Sequence, residues 1–199
     1  METQGKQKTA LLIIDYINEI VDTKGKLAGK GYAAFVSTHD TFAKLNRAIE
    51  KARAKGIPVM FVRVGFSPDY TDLPSGSPLF GGAKKFGALQ LGTWATEIHN
   101  AITIQPTYKV TTKHRVSAFY NTTLDEVLKE QRADTLLIAG VATDLAVQST
   151  ARDAHDRDYR VIVLEDLCAA ATKEDHDEAI RLLAKVATIA ESETAIELQ

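Results

Sequence analysis

The feature that most constrains the fold is a short run of residues, 10–15, in which every position before the closing Asp15 is apolar. A second run of the same kind, made of apolar and small residues, occupies positions 135–142. A strand that is apolar on both faces is typical of a parallel sheet covered by helices on both sides. These two runs therefore favour an α/β architecture with a buried central sheet.

Predicted strands and helices alternate along the rest of the chain. Patterns of strand type occur at 10–15, 59–64, 108–111, 135–142, 159–166 and 187–190, and patterns of helix type occur at 40–54, from 122 onward, at 144–157 and at 173–186. This order predicts a mostly parallel sheet of about six strands, with helices on both faces and right-handed crossovers. Because no linker or internal repeat interrupts the pattern, we predict a single domain over 1–199.

Size and charge narrow the classes of partner. The chain has 199 residues and a formal net charge of −2, so nothing favours nucleic acid or an anionic membrane as a partner. The residues before the first strand lack the apolar core of a signal peptide, and the apolar runs are too short to cross a bilayer. We therefore expect a cytoplasmic protein. Its one cysteine, Cys168, excludes an internal disulfide bond.

Two charged residues lie where an open α/β sheet places its chemistry. Asp15 ends the first strand, and Lys113 follows the predicted strand 108–111. A carboxylate that closes a buried strand is costly unless it is paired or used, although it could also cap the next segment. A lysine beside it would stabilise the ionised acid, but an isolated lysine is more often solvated, and Lys109 could take the same role.

The second apolar run ends in a turn rich in small residues, 140–147, that leads into a helix. Such a strand–turn–helix arrangement can aim backbone N–H groups at a developing oxyanion or a bound carboxylate. An ordinary tightly packed turn would have the same composition.

Taken together, these segments resemble the isochorismatase-like hydrolase superfamily, also called the cysteine hydrolases. This superfamily includes isochorismatases, nicotinamidases and N-carbamoylsarcosine amidohydrolases. Three motifs carry the resemblance, in the order that the family has them: Leu11 to Asp15; Lys113 with Ser117-Ala118-Phe119; and Gly140 to Asp144, continued by 149–154 and 164–170. Each motif is weak alone, whereas their order and spacing are specific.

The resemblance implies a three-layer, Rossmann-like fold with a catalytic aspartate and lysine, which match Asp15 and Lys113. It also implies a cis peptide bond between Val141 and Ala142, and a substrate carbonyl held by the N–H groups of Ala142 and Ala146. The position of the family's nucleophilic cysteine is occupied by Ala146.

The resemblance does not extend to a metal site. The nicotinamidase metal motif is missing after the second strand, where residues 63–69 contain no Asp-x-His pair, and the five histidines have no ligand spacing to one another. We predict no metal and no other cofactor. Cys168 falls after the wrong strand for a nucleophile, and we interpret it as a small buried hydrophobic residue.

Without the thiol, several functions remain open. The first is hydrolysis of a small polar or anionic metabolite by acid–base chemistry at Asp15, with Arg63 and Phe119 as substrate contacts. The second is an amidohydrolase for amide or ureide C–N bonds whose cysteine has been replaced by alanine at position 146. The third is an inactive small-molecule-binding homologue. A nucleotide-binding module ranks last, since neither G-x-G-x-x-G nor a Walker loop follows any strand.

The segment 65–100 is unusually long for a connection inside a compact domain. Its large apolar residues include Phe66, Tyr70, Leu79, Phe80, Phe86, Leu89, Leu91 and Trp94. We expect this segment to cover the pocket or to reach a neighbouring subunit. Since a monomer would expose those residues, and related enzymes are commonly oligomers, we also expect a homodimer or homotetramer.

Overall fold

The computed structural model describes residues 8–199. Within that range six strands form one sheet in the order β3-β2-β1-β4-β5-β6, and every neighbouring pair is parallel. The strands are β1 (Thr9–Ile14), β2 (Val59–Val64), β3 (Lys109–Lys113), β4 (Thr135–Val141), β5 (Arg160–Ala169) and β6 (Thr188–Ala190). The predicted α/β fold class is confirmed, and the sheet is wholly parallel.

Helices cover both faces of this sheet. They are α1 (Asn18–Val21), α2 (Tyr32–Thr38), α3 (Thr41–Ala54), α4 (Ala83–Phe86), α5 (Leu124–Glu130), α6 (Gln148–His155), α7 (Lys173–Leu183) and α8 (Ser192–Glu197). Side chains of α2, α3 and α8 pack in one apolar core with Leu11 and Ile13 of β1. Those of α5, α6 and α7 pack in a second core with Leu12 and Ile14. Successive residues of β1 therefore serve opposite layers, which explains why the strand is apolar throughout.

Most sequence-based boundaries agree with the structure, with two instructive differences. The last long strand, β5, runs to Ala169, beyond the predicted end at 166. The predicted helix 144–157 begins instead with a π-helical turn, Thr143–Val147, before α6. Short helices such as α1 and α4 have too few turns for a periodic apolar pattern, so they could not be predicted from such a pattern.

The strand order creates a switch point beside β1. Its neighbours β2 and β4 lead to opposite halves of the sheet, and in such folds ligands bind outside the carboxyl ends of the strands at this point. Close packing of β1 and β4 here depends on Gly140, because a Cβ atom at that position would lie 2.9 Å from Cβ of Ile14 and 3.0 Å from Cγ2 of Val147.

The long segment between β2 and β3 folds back over the carboxyl end of the sheet. Phe66 anchors it, since its N–H donates to the Leu89 carbonyl and its own carbonyl accepts from the Leu91 N–H, both at 2.8 Å. Tyr70 is also buried, and its hydroxyl donates to the carbonyl of Ala88. Over residues 8–199, no helix is long and apolar enough to span a bilayer.

Candidate active site

Asp15 stands at the carboxyl end of β1, at the switch point. Its backbone has a φ of 58°, a left-handed conformation that aspartate adopts more readily than most residues. The Asp15 N–H donates to the Val62 carbonyl, and its carbonyl accepts from the Ile17 N–H, each at 2.8 Å. The chain thus leaves the sheet directly after the strand and holds a carboxyl group, 3 % exposed, at the sheet edge.

Lys113, the last residue of β3, pairs with this carboxyl group. Lys113 is 1 % exposed, and its Nζ lies 2.8 Å from Oδ2 of Asp15 and donates to the Arg115 carbonyl at 3.1 Å. The register of the sheet explains the meeting, since Lys113 is level with Val64, at the end of the intervening strand. The other oxygen of the carboxyl group, Oδ1 of Asp15, has no hydrogen-bond partner among the described residues.

Burial makes the carboxyl group of Asp15 easier to protonate than that of an exposed aspartate, and Lys113 opposes this effect. Burial raises the pKa of Asp15, and this effect outweighs the charge and hydrogen bond of Lys113 and the backbone N–H of Val64, which lower that pKa. Removing an ionised carboxyl group from water is costly, even with a cation beside it. The Asp15 carboxyl group is therefore a candidate for proton transfer.

The turn after β4 forms the other side of the site. The peptide bond between Val141 and Ala142 is cis, as the family resemblance predicted. The N–H of Val147 donates to the Ala142 carbonyl at 3.1 Å, which produces the π turn, and the N–H of Leu145 donates to the same carbonyl at 3.2 Å. Single π turns occur frequently at functional sites.

A second layer supports this turn. The buried Thr143 hydroxyl lies 2.9 Å from Nδ1 of His176 on α7. Burial lowers the pKa of His176, which favours its neutral ring. The ring of His176 also contacts Phe35 of α2, with centroids 5.3 Å apart. Helices from both layers therefore hold the turn in place.

A cavity of about 640 Å³ connects these groups. Its floor consists of Asp15, Lys113, Val141, Ala142 and Ala146, all of which line it and are buried. Its wall consists of four apolar residues of the long segment, Leu79, Phe80, Phe86 and Leu89. The structure thus brings together the residues predicted as acid, lysine, nucleophile position and turn.

Two predicted substrate contacts lie elsewhere. Nε of Arg63 donates to the hydroxyl of Thr112 at 3.1 Å, and its Nη1 donates to the Thr96 carbonyl, so the guanidinium group joins β3 to the long segment. Phe119 packs in the second apolar core and stacks on Tyr159, with ring centroids 5.9 Å apart. Both residues are outside the set that lines the cavity.

Three polar residues of the cavity lining were missed from the sequence. Lys26, Lys30 and Tyr32 all lie between Asp15 and the first long helix, in a segment without a clear periodic pattern. Lys26 Nζ donates to the Gly87 carbonyl and so ties this segment to the wall. The cluster of two lysines and a tyrosine soon after the strand-end aspartate was the only available signal.

The chemistry available at the floor is proton transfer beside a fixed cation. Ala146 offers no nucleophile, and Cys168 is buried below the sheet edge, where burial raises its thiol pKa to about 12. A thiol with so high a pKa is a poor nucleophile at neutral pH. Among residues 8–199, no group of three or more His, Cys, Asp and Glu side chains is placed to hold a metal ion.

The chain is similar in sequence to known hydrolases. The isochorismatase domain model matches residues 9–194. The ureidoacrylate amidohydrolase RutB of Methylorubrum extorquens is 34% identical over 170 aligned residues. The match covers 79% of this chain and 68% of that protein.

Solved structures are similar over nearly the whole chain. An isochorismatase family protein from Desulfovibrio vulgaris aligns with a TM-score of 0.85 at 27% identity, covering 96% of this chain and 98% of that one. N-carbamoylsarcosine amidase from Thermoplasma acidophilum aligns with a TM-score of 0.74 at 30% identity, covering 94% and 97%.

Proposed function

The chain belongs to the isochorismatase family of hydrolases, and we propose that it hydrolyses a small polar or anionic metabolite by proton transfer at Asp15, without a covalent intermediate. The observation that carries this proposal is the buried Asp15–Lys113 pair, 2.8 Å apart, in the floor of a cavity whose nucleophile position is Ala146. An amide or ureide C–N bond is the first candidate for the bond broken, because RutB and the carbamoylsarcosine amidase carry such activities in their names.

The proposed reaction uses water in place of a thiol. Ionised Asp15 accepts a proton from water as the water oxygen attacks the substrate carbonyl carbon. The N–H groups of Ala142 and Ala146 stabilise the oxyanion that forms. The C–N bond then breaks, and Asp15 returns its proton to the leaving nitrogen, so that one water is consumed and Asp15 is regenerated. Lys113 takes no part in the proton transfer and fixes the orientation of the carboxyl group.

The lining of the cavity supports an anionic group on the substrate. Lys26 and Lys30 line the cavity together with Lys113, whereas Asp15 is the one carboxylate among the described residues that line it. Since Asp15 and Lys113 form a pair, Lys26 and Lys30 give the rest of the lining a positive charge, which Glu19 offsets in part at Lys26. A substrate carboxylate near the two outer lysines would therefore be favoured.

A second candidate is hydrolysis of an enol ether, which needs a proton donor and no protein nucleophile. Two observations favour it: the alanine at position 146, and the burial that raises the pKa of Asp15 and so favours its protonated form. In this reaction Asp15 gives its proton to the enol ether carbon, water adds to the resulting oxocarbenium ion, and the hemiketal collapses to two products.

The test is a product assay on two matched panels, one of ureido and N-carbamoyl acids and amides, the other of enolpyruvyl ethers. Ammonia, amine or pyruvate release identifies the bond broken, and intact mass after acid quenching reports any adduct. We expect turnover in one panel with an unchanged protein mass. An acyl adduct, or saturable binding of these compounds without turnover, would contradict the proposal.

A further inference from the structure

We infer that the substrate carries an apolar body next to the bond that is broken, and that this body lies along the wall formed by Leu79, Phe80, Phe86 and Leu89. The inference rests on the proposed function only for the position of the reacting bond. It adds a requirement that the floor alone does not impose, since Asp15 and Lys113 would serve an entirely polar substrate equally well.

The size and lining of the cavity are the first observation. A volume of about 640 Å³ lies within the range of sites that hold drug-sized ligands. Beyond the floor the lining is dominated by hydrocarbon, since Ile20, Leu27, Val116 and Leu145 face the same space as the wall. A substrate of a few polar atoms would fill only the floor and leave this surface in contact with water.

The second observation is a gradient of exposure along the cavity. The floor residues Asp15 and Lys113 are 3 % and 1 % exposed, whereas Leu79 and Phe86 of the wall are 42 % and 65 % exposed. Phe80 and Leu89 of the wall are 8 % and 4 % exposed. The buried charged pair therefore marks the closed end of the cavity and the exposed apolar side chains mark its open end, and an elongated ligand can contact both.

The third observation is that the open end combines apolar surface with positive charge. Phe86 stands beside Lys85, whose Nζ is 5.7 Å from the ring centroid, and the exposed Lys26 and Lys30 line the same cavity. Large apolar side chains left in solvent beside a cavity mark a binding surface more often than an isolated exposed residue does. A ligand with a carbonyl head, an apolar body and an anionic group near its outer end fits this sequence of surfaces.

The experiment measures binding separately from turnover. N-alkylureas from methylurea to hexylurea serve as probes, and their Kd values are determined by calorimetry, with hydrolysis followed in parallel. Burial of each added methylene predicts a Kd lower by about fourfold, so affinity rises steadily along the series. Equal Kd values across the series, or undetectable binding of hexylurea at millimolar concentration, would overturn the inference.

The two proposals fail in different ways. Ureas that bind more tightly with chain length but are not hydrolysed would refute the proposed reaction on ureides and leave the apolar body supported. Ureas that are hydrolysed at rates and affinities independent of chain length would do the opposite.

A variant localises the effect to the wall. Phe86→Ala should raise the Kd of hexylurea by about tenfold or less and leave that of methylurea unchanged, because only the longer chain reaches the ring. Tyr120→Ala is the matched control, since Tyr120 is an aromatic residue outside the cavity lining and 59 % exposed. Thermal melting checks that both variants fold. A Phe86→Ala effect that is equal for both ureas, or absent, would contradict contact with the wall.

Discussion

The floor and the wall of the cavity differ in origin as well as in chemistry. The floor is made by residues at or just after the ends of β1, β3 and β4, and hydrogen bonds of the sheet and of the turn after β4 hold them in place. The wall comes from a single long connection between β2 and β3. We therefore propose that the sheet determines which reaction is possible and that the connection determines which molecule is accepted.

The largest expected effect on stability comes from the floor. Lys113→Met leaves the Asp15 carboxyl group buried without its cation, and breaking a buried ion pair from one side costs about 3–5 kcal/mol. For a chain of this size that corresponds to a melting temperature lower by roughly 6–20 °C, measured by calorimetry.

A matched lysine tests whether burial is the cause of that loss. Lys129 pairs with Asp125 at 2.6 Å but is 72% exposed, so Lys129→Met should change stability by about 0.5 kcal/mol or less. The double variant Asp15→Leu/Lys113→Met removes both buried charges and should recover much of the stability lost in Lys113→Met. Equal losses in the two single lysine variants would contradict the distinction between the buried pair and the surface.

The pH dependence of kcat/KM tests which protonation state of Asp15 the reaction needs. Burial raises the pKa of Asp15, so a reaction that needs its carboxylate should lose activity as pH falls through a value above that of an exposed aspartate. A reaction that needs protonated Asp15 should instead lose activity as pH rises through that value. The limb of the pH profile, falling at low pH or falling at high pH, thus separates C–N hydrolysis from enol ether hydrolysis.

Lys113 provides the check on this assignment. Its charge lowers the pKa of Asp15, so Lys113→Met should move the limb to higher pH in either reaction. A limb that stays at the same pH in this variant would show that a group other than Asp15 controls the profile.

A small effect is expected at the open end of the cavity. Lys30 is exposed, so Lys30→Ala should raise KM for an anionic substrate by about fivefold or less, and the effect should fade as salt is added. Values of kcat, and KM for a neutral analogue, should be unchanged. A fall in kcat would place Lys30 in the catalytic step rather than at the outer end of the cavity.

The floor was largely predictable from the sequence. Asp15 closes an unbroken apolar strand, and the carboxyl ends of parallel strands meet at one edge, so its position near the turn after β4 followed from topology. The choice of Lys113 rather than Lys109 came from the family motifs. The family motifs supplied the cis peptide bond at Val141–Ala142, which no pattern of side chains would have indicated. The family itself, inferred from those motifs, is confirmed by the domain match.

The wall and the outer lysines were less predictable, because long connections lack periodicity. Apolar residues of the segment 65–100 were expected to cover the pocket, yet Phe66 and Tyr70 serve as its anchors while Leu79 and Phe86 face the cavity. Arg63 was expected near the substrate because it lies close to the carboxyl end of β2, but its Nε donates to the hydroxyl of Thr112 instead. Such choices depend on tertiary contacts that spacing along the chain does not encode.

The proposed reaction depends on Asp15 and on no thiol. The most direct measurement is kcat on the enzyme's own substrate for two variants, Asp15→Asn and Cys168→Ala, with circular dichroism to verify that both are folded. Cys168 is the only cysteine in the chain. The account predicts a loss of about 10²–10⁴-fold for Asp15→Asn and nearly full activity for Cys168→Ala. Retained activity in Asp15→Asn, or its loss in folded Cys168→Ala, would contradict it.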